Sequence, residues 1–350
     1  MDDMTRPLPT RRSFLLGAAG AAAAATLAAC GSDDGDAGTS GSGSAGSGSG
    51  ATTASGAFPV TVRDRYGETT IEQAPERVVC YGYNDHDTML ALGVVPVGLI
   101  QWIPEWKRGV GPWSLDALGD ARPELFRGEE VPFEQIAALR PDLIVSVTHD
   151  LRSSDRERLA QIAPIVSTPA GYPSYGLPPE EAAMQTGTAL GLRAETQRLV
   201  DALQARYAEA RRAHPAFEGK TVMVVTPVAD GQMSVFAETD TRGRLVTELG
   251  MRQPAEVADM VGDDFYAYLS PERFGVMEVD ALIVLAYDAA SAGALRRMAT
   301  YQQLDVVRRG GAVVIDDMDT AMGLAAGTVT SVPWALGRLV QPLAAAVARA

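Results

Sequence analysis

Phe133–Val147 reads FEQIAALRPDLIVSV, and Pro271–Tyr287 reads PERFGVMEVDALIVLAY. Aligned at an offset of 138, Glu134 meets Glu272, Ile136 meets Phe274, Leu139 meets Met277 and Asp142 meets Asp280. Each copy predicts a short helix with apolar positions a few residues apart. Each then passes through an aspartate into an apolar run, Leu143–Val147 in one and Ala281–Ala286 in the other. A run without polar alternation predicts a strand buried on both faces, as in a parallel sheet covered by helices.

The flanking sequence extends the pattern in both halves. Strands are expected at Arg77–Tyr81, Pro96–Ile100 and Ile165–Thr168, with helices at Asp85–Leu92 and Asp155–Ile162. The second half predicts strands at Thr221–Thr226 and Ala312–Ile315. Helices are expected at Gly243–Leu249, near Leu295–Leu304, and from Pro333. Alternating strands and helices on both sides predict an α/β fold of two Rossmann-like lobes, residues 58–192 and 215–350, with a ligand cleft between them. Residues 193–214 link them. Leu199, Leu203, Tyr207 and Arg211 recur there at steps of four with no internal Gly or Pro, which predicts one helix about 30 Å long. A single rigid connector predicts small opening and closing motions.

The first 57 residues have a different character. Residues 1–29 carry an arginine pair, Arg11-Arg12, and then the apolar stretch Phe14–Ala29 of 16 residues, shorter than the ~20 needed to span a bilayer. This is the layout of an export signal. Thr10–Leu15 resembles a twin-arginine motif, and Leu27-Ala28-Ala29-Cys30 resembles the lipobox of bacterial lipoproteins, which implies lipidation of Cys30 and anchoring to the outer face of the cell membrane. The rest of residues 30–57, composed almost only of Gly, Ser, Ala, Thr and Asp, reads as a flexible tether.

The net charge of the whole chain, −14, gives no electrostatic case for nucleic acid. There are two cysteines; with Cys30 lipidated, Cys80 stands alone in the apolar run Val78–Tyr81 and reads as a buried hydrophobe. Neither a Gly-x-Ser-x-Gly elbow nor a phosphate-binding Gly-x4-Gly-Lys-[Ser/Thr] loop occurs, and no Gly-x-Gly-x-x-Gly follows a strand, so no enzyme is expected.

APERVVCYGYNDHDTMLALGVVPVGLI (Ala74–Ile100), EQIAALRPDLIVSV (Glu134–Val147) and GTALGLRAETQRLVDALQARYAEA (Gly187–Ala210) resemble the helical-hinge type of periplasmic binding protein. These proteins serve ABC importers of ferric siderophores and vitamin B12. GVGPW (Gly109–Trp113) and SVPWALGRLVQPLAAAV (Ser331–Val347) resemble a subgroup from Gram-positive bacteria associated with iron–siderophore uptake. The resemblance implies a monomeric extracytoplasmic receptor without a cofactor, whose ligand is an Fe(III)-siderophore and whose partner is an ABC permease. It also implies that Glu134 and Glu272 dock to the permease. Each is equally placed to stabilise the first turn of its helix.

Ligands of such lobes are expected beyond the carboxyl ends of the strands. In the first lobe the candidates are Tyr83, Trp102, Trp106, Arg108 and Tyr175; in the second they are Phe236, Arg242, Tyr268 and Tyr287. Aromatic walls with a few arginines suit a bulky chelate with flat, often anionic arms. Structural alternatives stay open: the tryptophans could pack their own loop, and Arg242 could be a solvated charge. The same fold could hold haem, a corrinoid or a bare metal, the last through His86 and His149, which both follow strands.

Overall fold

The computed structural model describes residues 58–350 apart from Glu129 and Ser174. The expected export signal, the expected lipidation site Cys30 and the expected tether lie outside the described residues. Among the described residues no helix is long and apolar enough to cross a membrane.

The first lobe opens with an antiparallel hairpin, β1 (Val60–Asp64) and β2 (Gly67–Ile71). There follow β3 (Val78–Cys80), α1 (Asp85–Ala91), β4 (Gly98–Ile100), α2 (Leu115–Leu118), β5 (Glu124–Phe126), α3 (Phe133–Ala138), β6 (Leu143–Ser146), α4 (Ser153–Ala160), β7 (Ile165–Ser167) and α5 (Pro179–Ala189). Strands β3 to β7 form one parallel sheet in the order β5-β4-β3-β6-β7. The connector is α6 (Arg193–Ala213).

The second lobe comprises β8 (Val222–Pro227), β9 (Met233–Phe236), α7 (Thr241–Glu248), α8 (Ala255–Val261), β10 (Tyr266–Leu269), β11 (Ala281–Leu285), α9 (Ala289–Arg297), α10 (Ala299–Gln302), α11 (Asp305–Arg308), β12 (Ala312–Ile315), α12 (Met318–Ala326) and α13 (Ser331–Val347). Its sheet repeats the order, β10-β9-β8-β11-β12. One strand differs. Only a five-residue turn, 228–232, separates β8 from β9, too short for a crossover, so β9 runs back antiparallel to β8.

The apolar repeat is explained by cores on both faces of each sheet. In the first lobe Val78, Cys80, Leu143 and Val145 face one core while Val79 and Ile144 face another. In the second, Val222, Val224, Ala281 and Ile283 face one side and Met223, Val225, Leu282 and Val284 the other. The repeated aspartates have one shared task. Asp142 accepts the backbone N–H groups of Glu76 and Arg77 at 2.8 and 2.9 Å, just before β3. Asp280 accepts the N–H of Thr221 at 2.8 Å, just before β8. Each pins the entry of its central strand to the neighbour that follows it in the sheet.

The buried face of α6 begins at Thr196 and Val200 and continues through Leu203, Tyr207 and Ala210. Leu199 packs against the cores of both lobes. The expected single helix near Leu295–Leu304 is divided between α9 and α10, because Met298 is extended (φ −72°, ψ 119°) and starts a new turn; Leu304, also extended (φ −63°, ψ 132°), then precedes α11.

Candidate ligand-binding site

A cleft of about 330 Å³ lies between the lobes. From the first lobe it is lined by Tyr83 and Asn84 after β3, Trp102 after β4, and Thr148 to Asp150 after β6. Tyr175 and the start of α5 close that side. The second lobe contributes Asp240, Thr241, Arg242 and Phe265, with Ala325 to Val329 at the end of α12.

The two lobes meet the cleft differently. In the first lobe Tyr83, Asn84, Trp102 and Thr148 to Asp150 follow parallel strands, while Arg65 comes from the hairpin turn. In the second lobe none of the lining residues follows β8. Since β9 doubles back along β8, the first turn of α7 that follows it carries Arg242 into the cleft, and Phe265 stands just before β10.

The first-lobe wall is aromatic. Tyr83 packs against Trp102 (centroids 5.7 Å apart) and His149 (4.6 Å), and its hydroxyl lies 3.4 Å from His149 Nε2. Burial lowers the His149 pKa, which keeps the imidazole neutral against the tyrosines. Opposite, Phe265 meets Tyr175 at 5.2 Å, closing an aromatic contact across the gap. Tyr175 holds a positive φ of 58°, an unusual conformation for a bulky residue, to place that ring.

Arg242 is held on three sides. Asp240, the N-cap of α7, accepts its Nε and Nη2 at 2.8 Å each, and the guanidinium lies 3.6 Å from the centroid of the Phe236 ring. Burial alone would lower its pKa, but hydrogen bonds and attraction from Asp240, together with Tyr287, raise it instead, so the guanidinium stays charged. Phe236 and Tyr287 do not line the cleft; they brace the arginine that does. A second ion pair, Arg65 to Asp150 at 2.9 Å, stands on the opposite wall.

At the floor, Asp85 is buried and takes the N–H of Val147 at 2.7 Å on one oxygen, while Oδ1 has no hydrogen-bond partner. Burial raises its pKa to about 6, opposed by hydrogen bonds from Thr148 and Val147. Gly82 leaves the space for this carboxylate; a Cβ there would overlap Asp85 Oδ2. Gly327, at φ 61°, ends α12 in the left-handed conformation, and a Cβ would collide with Thr241.

The remaining candidates lie outside the lining. Trp106 donates its indole N–H to Asp319 Oδ1 of the second lobe at 2.9 Å. Arg108 donates to the carbonyls of Gly119 and Ala121. Tyr268 is 56% exposed on the edge strand and packs against Tyr266. His86 is buried beside Asp87, apart from His149, and among the described residues no group of three or more His, Cys, Asp or Glu could hold a metal ion. Arg65, Phe265 and the Ala325–Val329 loop went unnoticed in the sequence. Arg65 sits in a hairpin turn with no strong strand signal, and the others flank elements of mixed polarity.

A profile of the periplasmic binding protein family matches residues 78–317. The chain belongs to the periplasmic binding protein family. This binding protein is 28% identical over 211 residues to the Fe(3+) dicitrate-binding periplasmic protein FecB of Escherichia coli (strain K12), covering 58% of this chain and 65% of FecB. Over 82% of its length it superposes on a periplasmic solute binding protein from Mycobacterium smegmatis (TM-score 0.75, 28% identity, 98% of that chain). It also shares the fold of Streptococcus pneumoniae PiaA, solved in complex with ferrichrome (TM-score 0.72, 24% identity, 83% of this chain and 99% of PiaA). These relatives are solute-binding proteins, and this periplasmic binding protein is a binder rather than an enzyme.

Proposed function

We propose that the protein is a lipid-anchored receptor on the outer face of the cell membrane that captures a ferric siderophore in the interlobe cleft and hands it to an ABC permease. The observation that carries this reading is the cleft itself, walled by Tyr83, Trp102, Tyr175 and Phe265 and supplied with arginine donors. Flat rings and planar guanidinium groups suit the broad, rigid surface of a ferric chelate. The named ligands of the relatives, ferrichrome for PiaA and ferric dicitrate for FecB, agree in being iron chelates and differ in charge and size.

Cys30 supplies the anchor, residues 31–56 the reach, and Glu134 and Glu272 the permease contact. Both glutamates are exposed, each in the first turn of its helix. Trp102 in the wall makes the test direct: titration of the purified protein with ferric chelates and their iron-free forms, read by tryptophan quenching. Saturable one-to-one quenching by a ferric chelate supports the reading; no response to any ferric chelate removes it.

A further inference from the structure

Every arginine that lines the cleft is already matched by an aspartate in the same cleft. Arg65 pairs with Asp150, and Arg242 pairs with Asp240. A third carboxylate, Asp85, stands at the floor and forms no ion pair, and no lysine lines the walls among the described residues. His149 is neutral. Two cations against three carboxylates leave the cleft without an uncompensated positive charge.

We infer that the cleft selects a ferric chelate carrying no net negative charge, such as a neutral tris-hydroxamate, in preference to anionic citrate or catecholate complexes. This inference rests on the siderophore reading above and narrows it. The Arg242 pair decides the matter. Asp240 is only 3% exposed and bonds the guanidinium through two atoms. An anion competing for that guanidinium would leave Asp240 buried without its partner, which is far costlier than leaving a solvated pair. A neutral acceptor makes no such demand. Of the five guanidinium donors Asp240 takes two and Tyr287 engages another, and those left over can meet a hydroxamate or amide oxygen. Asp85 points the same way: its buried carboxylate at the floor of the cleft repels a carboxylate or catecholate oxygen.

The test is a charge series on the full protein. Ferrichrome (a neutral ferric tris-hydroxamate), ferric dicitrate and a ferric tris-catecholate are titrated by calorimetry at low and physiological salt. The expected result is that ferrichrome binds at least about 30-fold more tightly than either anion. Its affinity should change by less than about twofold with salt, since no net charge is neutralised. Asp240→Asn keeps the helix cap and frees Arg242, so the ratio of dicitrate to ferrichrome affinity should rise by about tenfold. If an anionic ferric chelate binds as tightly as ferrichrome, the charge inference is overturned and the siderophore reading stands. If no ferric chelate binds, both fall. A variant too unstable to titrate leaves the wild-type series to decide.

Discussion

Thr328 of the second lobe donates its hydroxyl to Asp87 Oδ2 of the first lobe at 2.7 Å, in a site buried from solvent. The same carboxylate accepts the indole N–H of Trp113 at 2.7 Å and the hydroxyl of Ser114 at 2.6 Å. Asn84 Nδ2 reaches the Ala326 carbonyl at 3.2 Å, and Trp113 packs on Trp334. The lobes are therefore fastened beside the cleft as well as along α6, and the fastening holds the Ala325–Val329 loop against the ligand site.

Removing that carboxylate strands two buried hydroxyls, of Ser114 and Thr328, and the half-buried indole N–H of Trp113. Asp87→Ala should lower unfolding stability by about 2–4 kcal/mol, read from urea titration. A loss below about 0.5 kcal/mol would mean that Asp87 does not join the lobes energetically.

Asp85 gives a pH signature. In the folded protein it keeps its proton up to about pH 6, whereas the unfolded chain releases it near 3.8. The folded state binds more protons in that window, so this group's contribution falls as pH rises from about 4 to 6 and is level above, a loss of about 2–3 kcal/mol. His86 acts in the opposite sense: burial lowers its pKa, so its contribution is lost as pH falls below 6.5. Comparing wild type with Asp85→Asn across pH 4–8 isolates the first effect. Parallel stability curves for the two proteins would show that Asp85 titrates normally.

Trp102→Ala and Phe265→Ala each remove one face of the cleft and should weaken ferric chelate binding by about 10- to 100-fold. Tyr268→Ala, outside the lining, should change it by less than about twofold. Equal losses from all three would place the ligand on the outer edge strand instead.

Reversing Glu134 and Glu272 to Arg together should leave chelate affinity intact and abolish iron uptake by cells, because attraction to a basic permease surface becomes repulsion. Undiminished uptake by the double variant would remove these residues from the docking face.

The fold was legible where burial is two-sided. Leu143–Ser146, apolar but for its buried serine, and Ala281–Leu285, apolar throughout, were read within a residue or two, as was α6 from its steps of four. The strands that went unread are short or lie at sheet edges: β1, β2, β5 and β10 mix polar with apolar residues because part of each is exposed, and β9, buried throughout, is only four residues long with a serine among them. The cleft was partly legible for a similar reason. Tyr83, Trp102 and His149 follow readable strands, whereas Phe265 and Arg65 are brought in by the reversal of β9 and by the hairpin turn. The pairing of Arg65 was illegible because Asp150 lies 85 residues beyond it, whereas the partner of Arg242, Asp240, stands two residues before it.

Leu199 has a consequence for how the molecule melts. Two sheets with cores of their own could come apart in separate steps, but this side chain belongs to both interiors, and Asp87 ties the far side. Heat should therefore disrupt both halves in a single cooperative endotherm, and a bound chelate should shift that one peak rather than split it.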